Sequence, residues 1–303
     1  MTRTAFEGII TVLTTPFNRD GEVDYTVLGR HIDFLLDSGI TSLVEGGSTG
    51  EYYALSLEER KRLLAFVAER AGARAQLIAG TNSARPDETL ELDAFAAGTG
   101  YSALMLAAPY YALPSTGELV AHFRRMAAAT DLDIILYNFP ARTGVDLDLA
   151  FLEGVRDVPN IVAIKESSGS FARMIQQCIQ FPHLQRICGA DDQAVDAFLW
   201  GAHSWIAGAS NFLPSEHLAL YRAAVVDRDF VRAQKLMAAL MPVFFLLEQG
   251  GKYIQYAKYG VELAGFELGP GRPPLQPLAP EEEERFRALY RQVKDAGLAR
   301  LAG

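Results

Sequence analysis

The chain has 303 residues, half of them hydrophobic and 21% charged, with a formal net charge of -9; this is the balance of a folded, water-soluble protein with room for one large α/β domain or two smaller ones. The acidic excess and the lack of a basic stripe exclude a nucleic-acid partner, which needs clustered lysine and arginine against phosphate. Cys178 and Cys188, ten apart and outside any CxxC spacing, exclude a disulfide scaffold or zinc knuckle and fit a reducing cytoplasm; Met1 to Glu7 lacks the apolar core of a signal peptide, and no uninterrupted apolar stretch reaches the ~18 residues that suggest a membrane span.

In chain order, β-type runs cover Gly8 to Phe17, Ser42 to Gly47, Gln76 to Asn82, Ala103 to Pro109, Asp133 to Pro140, Ile161 to Ser168, Gln185 to Ala190 and Trp205 to Ser210. Helical patterns such as Tyr25 to Ser38, Ser56 to Ala71, Thr116 to Ala129 and Asp148 to Val155 lie between them, several opened by a Ser, Asp or Thr that can cap the first turn. Eight βα units at this spacing predict an α/β protein of the (β/α)8 TIM barrel type, which takes about 250 residues. A doubly wound sheet is the alternative, but Thr14-Thr15-Pro16-Phe17 after the first strand is nothing like its Gly-rich phosphate loop. From Asp227 the strand pattern stops. Phe230 to Glu248, Gly251 to Ala264 and Pro280 to Ala296 read as further helices, with Gly269 to Pro274 as a breaker, so the expected organisation is a barrel over 1–226 and a C-terminal helical appendage over 227–303.

Barrel chemistry belongs at the C-terminal ends of the strands. Those ends carry Gly46-Gly47-Ser48-Thr49-Gly50-Glu51, Pro109-Tyr110-Tyr111, Tyr137 to Gly144, and Lys165. Lys165 closes the apolar run Ile161-Val162-Ala163-Ile164, whereas the other five lysines all lie in helix-like or polar stretches. An ammonium at the mouth of a buried strand loses hydration, its pKa falls, and the free amine becomes a nucleophile able to form a Schiff base. The plainer alternative is a structural ion pair with Glu166 or another carboxylate. Gly46 to Gly50 also matches GxSxG, which would make Ser48 a hydrolase nucleophile, although no acid and histidine partners stand out. The five histidines have no metal-ligand spacing and are expected to be structural, with no metal site; GxxxxGK[ST], HExxH and GxGxxG contexts are absent.

Taken together these segments resemble the dihydrodipicolinate synthase / N-acetylneuraminate lyase family of pyruvate-dependent class I aldolases, in the family's order from Gly8 to Leu275. The resemblance implies that Lys165 attacks the keto carbon of pyruvate or another 2-keto acid to form an iminium, with no cofactor beyond that imine. It implies that Tyr137 shuttles protons, that Ser48 and Thr49 with Gly50 hold the keto acid carboxylate, and that Ser48 links Tyr137 to Tyr111. In the family the residue at Tyr111 comes from a neighbouring subunit, so at least a homodimer, and commonly a homotetramer, is implied. Ile206, Gly189 and Asp191 match strand-end positions near the family's site.

Arg142 matches the arginine that meets aspartate semialdehyde in the synthase branch; a surface pairing with Asp146 or Glu51 is its alternative. The expected activity is therefore condensation of pyruvate with aspartate semialdehyde to 4-hydroxy-tetrahydrodipicolinate. A 2-keto-3-deoxy sugar acid aldolase or dehydratase is the main alternative, and a non-catalytic keto-acid-binding barrel the outside one. Ser48-Thr49 in place of two threonines, and Tyr52-Tyr53 after the glutamate, depart from the synthase pattern and put the second substrate in question. The histidines of lysine-inhibited members are missing from Leu57-Glu58-Glu59-Arg60 and their asparagine from the position of Ala84, so no feedback inhibition by lysine is expected.

Overall fold

Eight parallel strands pair in chain order and close on themselves, β1 (Gly8–Val12), β2 (Ser42–Glu45), β3 (Gln76–Gly80), β4 (Ala103–Ala107), β5 (Asp133–Asn138), β6 (Ile161–Glu166), β7 (Gln185–Cys188) and β8 (Ser204–Ala207), with β8 against β1. The computed structural model describes Thr4 to Leu298; Met1 to Arg3 and Ala299 to Gly303, parts of the terminal stretches read above, lie outside the described residues. The architecture is the (β/α)8 barrel. Around it lie α1 (Tyr25–Asp37), α2 (Leu57–Ala71), α3 (Pro86–Gly98), α4 (Thr116–Ala128), the single turn α5 (Pro140–Thr143), α6 (Leu149–Gly154), α7 (Phe171–Gln180), α8 (Ala194–Leu199) and α9 (Pro214–Tyr221), which runs into a π-helical turn at Arg222–Val226. Three more helices follow, α10 (Phe230–Gln249), α11 (Tyr253–Leu263) and α12 (Pro280–Asp295). Caps set the starts: the Asp24 carboxylate accepts from the Thr26 and Val27 amides, and Ser56 and Glu59 form a reciprocal capping box.

Each strand is buried on both faces, and the period-2 alternation sorts its side chains into two cores. Ile10, Val12, Met105, Ile135, Ile187 and Ile206 fill the barrel interior, while Ile9, Leu104, Ile134, Leu136 and Trp205 pack outward against the helices. Each fully buried Leu or Ile contributes roughly 1.5–3 kcal/mol.

Every β-type run read from sequence overshoots its strand at the C-terminal end: β1 stops at Val12 rather than Phe17, and β4 at Ala107 rather than Pro109. The ladder ends where the loops peel away to build the barrel mouth. At Gly46, φ is +79° and a side chain would run into the Gly80 carbonyl, so only glycine lets the β2 loop turn there.

The C-terminal helices are tied to that same loop. Glu51 holds a left-handed backbone (φ +58°) with its side chain fully buried; Oε1 accepts from Lys258 Nζ at 3.0 Å and Oε2 from the Arg272 amide at 2.9 Å. Lys258, on α11, also donates to the Thr15 and Pro270 carbonyls at 2.9 and 3.1 Å. Among the described residues α10 alone is long and apolar enough to cross a membrane, but it buries Ala233, Leu236, Leu240, Val243, Phe244 and Leu247 in the main core and packs on α9, α11 and α12.

Candidate active site

Strand register creates the site. Tyr137 is the lateral Cα partner of Lys165, and Lys165 of Ile187, at the C-terminal ends of β5, β6 and β7. Tyr137 shares the inward face of β5 with Ile135, and Lys165 that of β6 with Ala163, so both side chains enter the barrel mouth. Lys165 is 5% exposed, and its Nζ lies 4.1 Å from the centroid of the Tyr137 ring. Glu166 faces the other way and is saturated by Asn138 Nδ2 at 3.2 Å, the Ser168 amide at 2.8 Å and Gln177 Nε2 at 2.6 Å. The Lys165–Glu166 ion pair is therefore corrected: alternation puts neighbours on opposite faces, and no carboxylate among the described residues reaches ion-pair distance of Lys165.

Burial pushes the Lys165 ammonium down to about 8, against the opposing pull of the Asp191 and Glu248 carboxyls. Burial also pushes the Tyr137 phenol up, and the Ser48 and Ser167 hydroxyls draw it partly back. Gly189, at the end of β7, leaves room for the lysine stem, since a Cβ there would come within 2.8 Å of Lys165 Cγ.

These groups line a 340 Å³ cavity together with Ser48, Thr49, Arg142, Ile206 and Gly189. Ser48 and Thr49 open a 3-10 turn, and their amides take no backbone acceptor among the described residues, whereas the Gly50 amide is spent on the Gly47 carbonyl at 3.0 Å. Gly50 thus stands behind the wall, its carbonyl accepting from Thr15 Oγ1 at 2.7 Å. Arg142, on α5, is exposed at the cavity rim. Its surface pairing is also corrected: Arg173 grips Asp146 through two bonds of 2.9 and 2.7 Å and Lys258 takes Glu51, leaving Arg142 no carboxylate partner among the described residues.

Tyr111 is not brought to the site within the chain. It stands 94% exposed on the β4–α4 loop with φ +72°, while its neighbour Tyr110 lines the cavity. Asp191 lies behind the wall, where its carboxylate accepts the Trp205 indole N–H at 2.9 Å. Sequence reasoning missed Glu248 and Tyr253, which α10 and α11 send into the cavity. Glu248 carried a usable signal as the only acid in Phe230–Gln249, the same contrast that singles out Lys165.

No histidine lines the cavity, so Ser48 has no base and the hydrolase reading is set aside. His31 and His217 are buried structural groups, bonded to the Asn211 and Leu213 carbonyls at 2.9 and 2.7 Å and pushed down to about 4 by burial. In the segment expected to lack a lysine-binding site, Arg60 is 6% exposed; it donates to the Asn82 and Gly80 carbonyls at 2.8 and 3.0 Å and lies 5.1 Å from the Tyr52 ring. With Arg60 buried and committed to two carbonyls in place of the expected histidine, millimolar lysine is expected to leave turnover unchanged; submillimolar inhibition in a steady-state titration would overturn this.

The model of the dihydrodipicolinate synthetase family matches residues 5–293. A 4-hydroxy-tetrahydrodipicolinate synthase of Exiguobacterium sibiricum is 38% identical over 271 residues, 89% of this chain and 92% of that one. The structure of the 4-hydroxy-tetrahydrodipicolinate synthase from Methylacidiphilum fumariolicum SolV superposes with a TM-score of 0.91 at 31% identity, covering 98% of this chain and 99% of that one. A chloride-inhibited dihydrodipicolinate synthase from Acinetobacter baumannii, complexed with pyruvate, gives 0.87 at 29% identity, covering 96% and 99%. With barrel, buried lysine and near-complete coverage in agreement, the chain belongs to the dihydrodipicolinate synthetase family.

Proposed function

We propose that the protein condenses pyruvate, held as an imine on Lys165, with aspartate semialdehyde, as a 4-hydroxy-tetrahydrodipicolinate synthase does. The observation that carries this reading is a buried lysine with no ion-pair partner among the described residues, in register with Tyr137 and in one cavity with Arg142. The Lys165 amine adds to the keto carbon, and the carbinolamine takes up a proton and loses water to leave the iminium. Ser48 and Thr49 bind the pyruvate carboxylate through hydroxyls and free amides. The proton the carbinolamine takes up comes from the Tyr137 phenol, and the phenolate left behind accepts a methyl proton to give the enamine, whose carbon attacks the aldehyde; the new alkoxide takes the proton back from Tyr137, and water later releases the lysine.

Arg142 offers a bidentate site for the carboxylate of the aldehyde. An Arg142→Ala variant loses about a hundredfold in kcat/KM with aspartate semialdehyde, in line with the loss of a charged hydrogen-bond pair, and far less in pyruvate binding. Unchanged kinetics would rule out this role. A second reading, cleavage or dehydration of a 2-keto-3-deoxy sugar acid on the same imine, is favoured by Glu248, a carboxyl that hydroxyl groups can meet. Supplying pyruvate with aspartate semialdehyde, or the 2-keto-3-deoxy acid alone, and following product separates the two.

The exposed Tyr111 supports a homodimer or homotetramer in which it completes the proton relay of a neighbouring copy. We also take 1–226 as the catalytic barrel, 227–303 as a helical region lending it Glu248 and Tyr253, and the cytoplasm as the place of action.

A further inference from the structure

Among the described residues, and apart from phenols, three ionisable side chains line the cavity: Lys165, Arg142 and Glu248. The reading above, on which this inference rests, gives Lys165 to the keto carbon and Arg142 to the carboxylate of the second substrate. Glu248 has no task. It closes the last turn of α10, and its Oε1 is fixed by the Asp191 amide at 3.2 Å. The nearby Asp191 carboxylate is 1% exposed and occupied by the Trp205 indole at 2.9 Å and the Ala209 amide at 3.4 Å. Glu248 Oε2, by contrast, has no protein donor among the described residues, and no other carboxylate lines the cavity.

A substrate carrying only an aldehyde and a carboxylate would strip water from this oxygen and return nothing, a costly outcome for a polar group. An amino or hydroxyl group would satisfy it. Burial and the Asp191 charge push the Glu248 carboxyl up, toward the protonated form that can donate as well as accept.

We propose that Glu248 is a specificity-determining residue that receives an amino or hydroxyl group on the carbon chain of the second substrate, while Arg142 holds that substrate's carboxylate. The matched test series is 4-oxobutanoate bearing an amino group, a hydroxyl group or only hydrogen at the carbon next to its carboxylate, each supplied with pyruvate. The wild-type protein prefers one substituted aldehyde over the unsubstituted one by about tenfold or more in kcat/KM, and the preferred member separates the amine from the hydroxyl source. Glu248→Met, nearly isosteric and without either oxygen, brings that ratio to within about threefold of unity. Should Met prevent cooperative melting, Glu248→Gln keeps an acceptor for the Asp191 amide but puts an NH2 group, which donates and cannot accept, in place of Oε2, and so still lowers the ratio. A wild-type protein without the preference, or a folded variant that keeps it unchanged, overturns the proposal. Trapping of pyruvate on wild-type Lys165 reads the underlying assignment separately: no adduct sinks that reading, whereas an adduct with unaltered ratios sinks only the role of Glu248.

Discussion

Lys165→Arg loses turnover by about a thousandfold or more, since a guanidinium stays charged at every workable pH and has no free amine to add to a carbonyl. Arginine keeps the positive charge and much of the stem, so the loss reports nucleophilicity rather than charge. The wild-type pH profile follows from the same site. Lys165 is pushed down to about 8, so the reactive amine is the minor form below that value. The rate of imine formation therefore rises with pH and levels off once the pH passes about 8, well below the value expected of a solvated lysine. Steady-state kinetics of the variant and single-turnover imine formation across pH check both; an active arginine variant would remove Lys165 from the chemistry.

Lys258→Met destabilises the fold by about 3–5 kcal/mol, a fall in Tm of roughly 5–15 °C for a large domain. The pair it breaks is buried on both sides, Lys258 at 3% and Glu51 at 0% side-chain exposure, and the lone Glu51 carboxylate would keep only the Arg272 amide. Because Glu51 terminates the Ser48-Thr49 turn, kcat/KM falls as well. Adding Glu51→Gln to Lys258→Met recovers part of the stability, since the unpaired charge is gone. Calorimetric melting of the two variants decides this; a Tm equal to that of the parent would show that the pair contributes nothing.

Seven of the eight runs read from sequence start where the strands start, and the eighth begins one residue early in the structure, at Ser204 instead of Trp205. Apolar runs punctuated by glycine and capping residues carry that information locally. The C-terminal ends of the runs were not legible, because loop residues at the barrel mouth stay buried and apolar after the ladder has ended, as Leu13, Phe17 and Ala108 do. Lys165 stood out by contrast with its neighbours, and the register that pairs it with Tyr137 follows from inward alternation on adjacent strands. Glu248 stood out as the only acid in its helix, but nothing local aimed it or Tyr253 at the cavity, since both reach it from helices that follow the eighth strand. Their approach depends on the Lys258–Glu51 tie across 207 positions of chain, which no local pattern encodes.

Every role assigned to the cavity depends on Lys165 forming an imine with pyruvate. Incubating the protein with pyruvate, reducing with borohydride and sequencing the modified peptide by mass spectrometry tests it most directly. A stable pyruvyl adduct on Lys165 and on no other lysine is the expected result; a folded protein that acquires none, or carries it on one of the five other lysines, would remove Lys165 as the imine-forming residue.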